Sequence, residues 1–254
     1  MTNTSSIFEI NGMDYIYRHP GDGTDSIISR KNEKNSLIKA KEIGIDPTYI
    51  YADINEGWKI SVFISEFREP DYNSFKDSKK IISVLRKLHG SGIKVDYGMD
   101  PWKDSLKIEK LLRKKAPECF EKNEKLKRKI ELLYKKTAGD GVEKCFCHGD
   151  TYKSNWMIKP DGNVILIDWE YSGYSDPGID VGYYIVDAMY DFDEAERFIK
   201  EYLQDSYTEK RYYHFWAYTA IIAYYWYVWA LYRESCGAVM GDALINWRDM
   251  AEKY

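Results

Sequence analysis

The sequence predicts an α+β chain in which a small antiparallel sheet precedes a larger, mainly helical part. Three observations carry that reading. Short strand signals come in pairs ahead of Phe67, and from about Phe67 onward the apolar residues recur at helical spacing. Between them and the last helices, residues 145–171 read CFCHGDTYKSNWMIKPDGNVILIDWEY, a loop closed by a hairpin that carries Asp150, Asn155 and Asp168 in fixed order.

Residues 6–10 and 14–18 flank Asn11-Gly12, a dipeptide that suits a tight hairpin because both residues tolerate positive φ. His19-Pro20-Gly21-Asp22-Gly23 ends the second strand, and Thr24 is the expected N-cap of a polar-apolar helix through Ile43 that Gly44 stops. Residues 49–51 and 59–64, separated by Asn55-Glu56-Gly57, complete the antiparallel sheet. Residues 76–89 place Ile81, Ile82, Leu85 and Leu88 on one helical face and end before Gly90. Residues 102–115 and 118–136 are also helical, with basic polar faces expected to be solvated surface. Asp161-Gly162 joins residues 156–158 to the β-branched run Val164-Ile165-Leu166-Ile167 as a second hairpin. Beyond Asp176-Pro177-Gly178 the chain is mainly helix, and residues 217–233, AYTAIIAYYWYVWALYR, form an apolar helix with Trp226 and Trp229 three apart.

A formal net charge of −4, with acidic and basic residues mixed along the chain, argues against a nucleic-acid partner. No signal peptide and no membrane span is visible, so a cytoplasmic protein without a membrane partner is expected. Cys119, Cys145, Cys147 and Cys236 form no CxxC pair and are expected to be reduced thiols. The 23 Tyr and 8 Trp make the chain rich in aromatic residues for its length; most of these rings are expected in the core or on the surface, and a ligand that prefers ring faces would use some of them.

The densest chemistry is in residues 145–171. Asp168 falls where a buried strand ends, facing an Asn and an Asp delivered by the preceding loop, and such an oxygen-rich pocket suits a hard cation such as Mg2+. Phosphoryl transfer uses this constellation: one Asp accepts the proton of the substrate hydroxyl, while an Asn and a second Asp hold the metal. A purely structural reading makes Asp150 a turn residue and Asp168 a strand-end cap, and leaves their order with Asn155 unexplained.

His148-Gly149-Asp150 with Asn155 five residues on, followed by Ile167-Asp168-Trp169-Glu170-Tyr171, resembles the aminoglycoside-phosphotransferase/choline-kinase superfamily, and the Asp-Trp-Glu-Tyr ending is most similar to bacterial choline kinases. The resemblance implies a two-lobed protein-kinase-like fold, with a nucleotide-binding lobe over residues 1–66 and a catalytic and amine-substrate lobe over residues 67–254. It implies ATP as co-substrate and Mg2+ as cofactor, with Asp150 as the base and Asn155 and Asp168 on the metal. Arg18 takes the place of the strand residue that reaches the ATP phosphates, paired with the helical Glu33, and Val62 to Ile64 lead into the hinge that meets adenine. Met1-Thr2-Asn3 falls where the family's phosphate loop lies, so the first strand of the lobe is expected to be missing. Asp180 matches an Asp that braces the catalytic loop.

For the second substrate, Trp226 and Trp229 match a Trp-x-x-Trp pair that faces the choline head group, with Tyr171 as a third wall. Asp187 stands in the place of a family carboxylate, Phe192 near a family aromatic, and Glu170 offers a further carboxylate to an ammonium. The implied activity is phosphorylation of choline to phosphocholine. The alternatives are a kinase for ethanolamine or an aminoglycoside, or a catalytically weak amine-binding homologue. An aminoglycoside site would show clustered acids without the Trp pair, and a eukaryotic-type protein kinase would show GxGxxG, DFG and APE segments. No oligomeric state follows from the sequence.

Overall fold

The computed structural model describes residues 4–21, 28–117 and 123–254. The expected cap Thr24, the expected helix start Glu118 and residues 1–3 lie outside the described residues. Two compact units interleave in sequence: Met1–Gly98 with Phe146–Tyr174, and Met99–Cys145 with Ser175–Tyr254.

The first unit opens with β1 (Thr4–Ile10) and β2 (Met13–His19), in register from Thr4 opposite His19 to Ile10 opposite Met13. Asn11 and Gly12 turn the hairpin at φ 53° and 76°, the left-handed region that this dipeptide tolerates. Helix α1 (Arg30–Glu42) follows, capped by Ser29, whose hydroxyl accepts the Asn32 N–H at 3.4 Å. Strands β3 (Tyr49–Ala52) and β4 (Lys59–Val62) complete a four-stranded sheet in the order β1-β2-β4-β3. Helix α2 (Phe75–His89) buries Ile81, Ile82, Leu85 and Leu88, the face its periodicity marks. Each such side chain contributes roughly 1.5–3 kcal/mol of hydrophobic stabilisation.

The second unit contains α3 (Pro101–Lys115) and α4 (Glu124–Thr137). The chain then passes through β5 (Cys145–Cys147) to the first unit's hairpin of β6 (Trp156–Ile158) and β7 (Val164–Leu166), where Trp156 opposes Leu166. After β8 (Gly173–Ser175) come α5 (Gly178–Asp187), α6 (Phe192–Leu203), α7 (Glu209–Ser235) and α8 (Asp242–Lys253). Helix α7 is buried on nearly every side from His214 to Val228, as expected of a helix apolar all round. Tyr183, Val186, Ile221, Tyr224 and Trp226 meet in its core. Among the described residues no helix is long and apolar enough to cross a membrane.

Candidate active site

The site in the first unit is assembled by backbone bonds around Ile167. Its N–H donates to the Asn155 carbonyl at 3.0 Å, and its carbonyl is 2.9 Å from His148 Nε2. The Asp150 N–H donates to His148 Nδ1 at 3.2 Å, so the buried imidazole carries its proton on Nε2 and donates that to Ile167. One neutral ring therefore ties the loop bearing Asp150 to the residue preceding Asp168. Asn155 Nδ2 donates to both the Asp150 carbonyl at 2.9 Å and Oδ2 at 3.0 Å, leaving its Oδ1 as the atom suited to a metal. The loop also requires Gly149: at φ +84° a Cβ would stand 2.4 Å from the Tyr171 carbonyl oxygen.

Asp168 sits at φ 72°, in the left-handed region that Asp tolerates better than most residues. Its Oδ1 accepts from Arg18 at 2.7 Å and from Lys59 at 3.4 Å. Lys59 is bonded in turn to Glu33 Oε1 at 2.7 Å, while Arg30 holds Glu33 Oε2 at 3.1 Å. The expected direct pairing of Arg18 with Glu33 is thus replaced by a chain, Arg18 to Asp168 to Lys59 to Glu33. The register explains the correction. Arg18 and Lys59 face each other across β2 and β4, a like-charge pair that is unfavourable unless carboxylates neutralise it. Asp168 does so from one side and Glu33, under α1, from the other. Lys59 was not singled out in the sequence because a lysine opening an apolar strand reads as solvated.

Burial opposes every charge here, and the outcome depends on the partners. Burial works against the Lys59 ammonium, but Asp168 and Glu33 outweigh it and raise its pKa. Burial likewise pushes the Asp168 carboxyl up, but Lys59 and Arg18 prevail and hold it well below the usual carboxylate range. Glu170, whose Oε2 is 3.9 Å from Arg18, is pushed up to about 7, first by burial and then by the Asp168 charge.

Arg18, Lys59 and Asp168 form the polar end of a cleft of about 180 Å3 whose remaining walls include Ile16, Val62, Ile64, Phe67 and Met157. Both expected hinge residues line it. The Val62 N–H donates to the Thr48 carbonyl at 2.8 Å and the Phe63 N–H to the Asp14 carbonyl at 2.9 Å, so these two groups belong to the sheet. Asp46, also in the wall, accepts from Thr48 N–H and Oγ1 and from the Trp169 indole at 3.1 Å, which anchors the residue after Asp168. One oxygen each from Glu33, Asp168 and Glu170 lies within 4.8 Å of the others, an all-oxygen donor set that fits Mg2+. Both Glu33 oxygens are bonded, to Lys59 and Arg30, whereas the bonds to Asp168 from Arg18 and Lys59 fall on its Oδ1 alone.

The second unit gathers rings rather than charges. Trp226 stacks on Tyr183 at 4.8 Å and 24°, and meets Trp229 edge-on at 5.4 Å and 78°. Trp247 of α8, which the sequence reading missed, lies 5.9 Å from Trp226 and 6.5 Å from Trp229. Asp187 is four residues past Tyr183 on α5 and so shares its helical face. Phe192 does not join these rings. It is 53% exposed and meets Trp216 at 5.8 Å and Tyr254 at 5.4 Å, with the Lys253 ammonium 5.2 Å from its centroid. Asp180 is fully buried in the first turn of α5.

An antiparallel sheet backed by a helix, a catalytic-type loop closed by a hairpin and a helical remainder make this a kinase-like α+β fold. The phosphotransferase enzyme family matches residues 73–217, more than half of the chain, and the chain belongs to that family. It is 21% identical to the protein LicA of Haemophilus influenzae over 264 aligned positions, covering 100% of this chain and 98% of that one. Its structure is similar to the choline kinase LicA from Streptococcus pneumoniae, with a TM-score of 0.83 at 27% identity over 98% of this chain and 88% of that one. A LicA in complex with AMP superposes with a TM-score of 0.81 at 26% identity, covering 100% and 88% of the two chains.

Proposed function

We propose that this phosphotransferase moves the γ-phosphoryl group of ATP to the hydroxyl of choline, with Mg2+ as cofactor. The observation that carries the choline assignment is the group of Trp226, Trp229, Trp247 and Tyr183. A quaternary ammonium donates no hydrogen bond, so a site that selects it needs ring faces. Each desolvated cation–π contact contributes about 2 kcal/mol. Asp187, on the Tyr183 face of α5, would add a carboxylate. The choline kinase activity named for the Streptococcus pneumoniae relative supports the same reading.

The apolar cleft that ends in Arg18, Lys59 and Asp168 would take the nucleotide, a reading that the AMP held by a similar LicA supports. With the N–H groups of Val62 and Phe63 committed to the sheet, adenine would bond from Ile64 onward. Arg18 would meet the phosphates, with Glu33 acting through Lys59 rather than directly. Bound Mg2+ would supply charge neutralisation at the phosphates, held by Asn155 Oδ1 and Asp168 with Glu170 beside them. Asp150, oriented by Asn155 Nδ2, would accept the hydroxyl proton. Glu170 and Tyr171, Trp169's neighbours on the same stretch, are proposed as further amine contacts.

A coupled ADP-release assay with choline, ethanolamine and kanamycin, each with and without Mg2+, tests this function. Mg2+-dependent turnover is expected to be greatest with choline. Turnover with kanamycin alone, or none with any acceptor, contradicts it.

A further inference from the structure

The aromatic group of the second unit already holds a cation. Arg233 lies on α7 one helical turn past Trp229, and its guanidinium carbon stands 5.5 Å from the Trp229 ring centroid. Its Nε is buried with no hydrogen-bond partner. Two cations of α8 have oxygen partners: Arg248 pairs with Asp249 at 2.7 Å, and Lys253, although it also lies over the Phe192 ring, donates to the Tyr190 carbonyl at 2.8 Å. For Arg233 the buried Nε is unpartnered and the contact at the guanidinium carbon is the Trp229 indole face.

A ring that already faces one cation is a poorer host for a second. The two charges repel, and the first draws the ring's electron density toward itself. An ammonium arriving at the opposite face meets both effects. An ammonium arriving at the same face must first displace the guanidinium. The sign is the same in either case, and a neutral ligand of the same shape meets neither charge effect.

We propose that Arg233 is a built-in competitor for the cation-binding face of Trp229, a specificity-determining residue that lowers the affinity of the amine site for cations. The inference rests on the reading of these rings as the amine site. Isothermal titration of wild type, Arg233→Met and Arg233→Lys with choline, and with its neutral isostere bearing a tert-butyl group in place of the trimethylammonium, tests both. Met keeps the apolar stem and removes the charge. Choline should bind Arg233→Met about two- to fivefold more tightly than wild type, the neutral isostere should be unchanged, and Arg233→Lys should stay near wild type. If Arg233→Met melts below the assay temperature, Arg233→Gln takes its place. Unchanged choline affinity, or weaker binding of both ligands, makes Arg233 a packing residue and overturns the proposal while leaving the amine site intact. A wild-type chain that binds no choline overturns the amine site, and this inference with it.

Discussion

Around Asp168 each group is fixed by a bond to backbone or to opposite charge, whereas around Trp226 the rings are held by one another. His148, Asp150, Asn155 and Ile167 form a closed set of hydrogen bonds, and Arg18, Asp168, Lys59 and Glu33 alternate in sign along their chain. Ring contacts between Tyr183, Trp226, Trp229 and Trp247 have no such directionality, and their centroids are spread from 4.8 to 6.5 Å. The lesson is one of tolerance. Removing one member of the charged set leaves a buried charge unpaired, while removing one ring leaves the others in place.

The largest effect is therefore expected at Asp168. Asp168→Ala strips Arg18 and Lys59 of their shared acceptor and should abolish turnover together with the Mg2+ dependence of nucleotide binding. Nucleotide binding that still responds to Mg2+ as in wild type would remove Asp168 from the metal. Asp150→Asn keeps the shape of the loop and should lower turnover by roughly 10²–10⁴ while leaving ATP binding intact, as loss of a general base does. Near-wild-type turnover would assign the base elsewhere.

Single rings should cost less. Trp226→Leu or Trp229→Leu should weaken choline binding by about 1–2 kcal/mol, with a smaller loss for ethanolamine, whose ammonium can still bond a carboxylate. Equal losses for both amines with a large drop in melting temperature would mean that these rings serve packing alone. The last effect is on stability and concerns pH. Glu170 is raised from 4.5 to about 7, so between those values the folded chain holds a proton that the unfolded chain has released. Its contribution to stability is complete below the lower value and is lost as pH rises through about 7. Melting temperatures of metal-free protein from about pH 5 to about pH 8 should show this decline, and Glu170→Gln should flatten it. An identical profile in the variant would place the titration elsewhere.

Legibility follows the same divide. The hairpins at Asn11-Gly12 and Asp161-Gly162, and the order of Asp150, Asn155 and Asp168, could be read because turn chemistry and local spacing dictate them. The ion-pair chain could not, because it depends on the register that sets Arg18 opposite Lys59 across separate strands. Tyr183 and Trp247 were missed for a related reason: in a chain so rich in rings, only packing tells which ones meet. Phe192 was set near a family aromatic by resemblance, and its ring neighbours, Trp216 and Tyr254, could not be read from spacing.

The most direct test is a crossed titration, in which Mg2+-nucleotide and choline are each titrated into Asp168→Ala and into Trp226→Leu. With separate nucleotide and amine sites, Asp168→Ala loses the nucleotide response and keeps choline binding, while Trp226→Leu keeps the nucleotide response and binds choline several-fold more weakly. Loss of choline binding in Asp168→Ala with none in Trp226→Leu would contradict that separation.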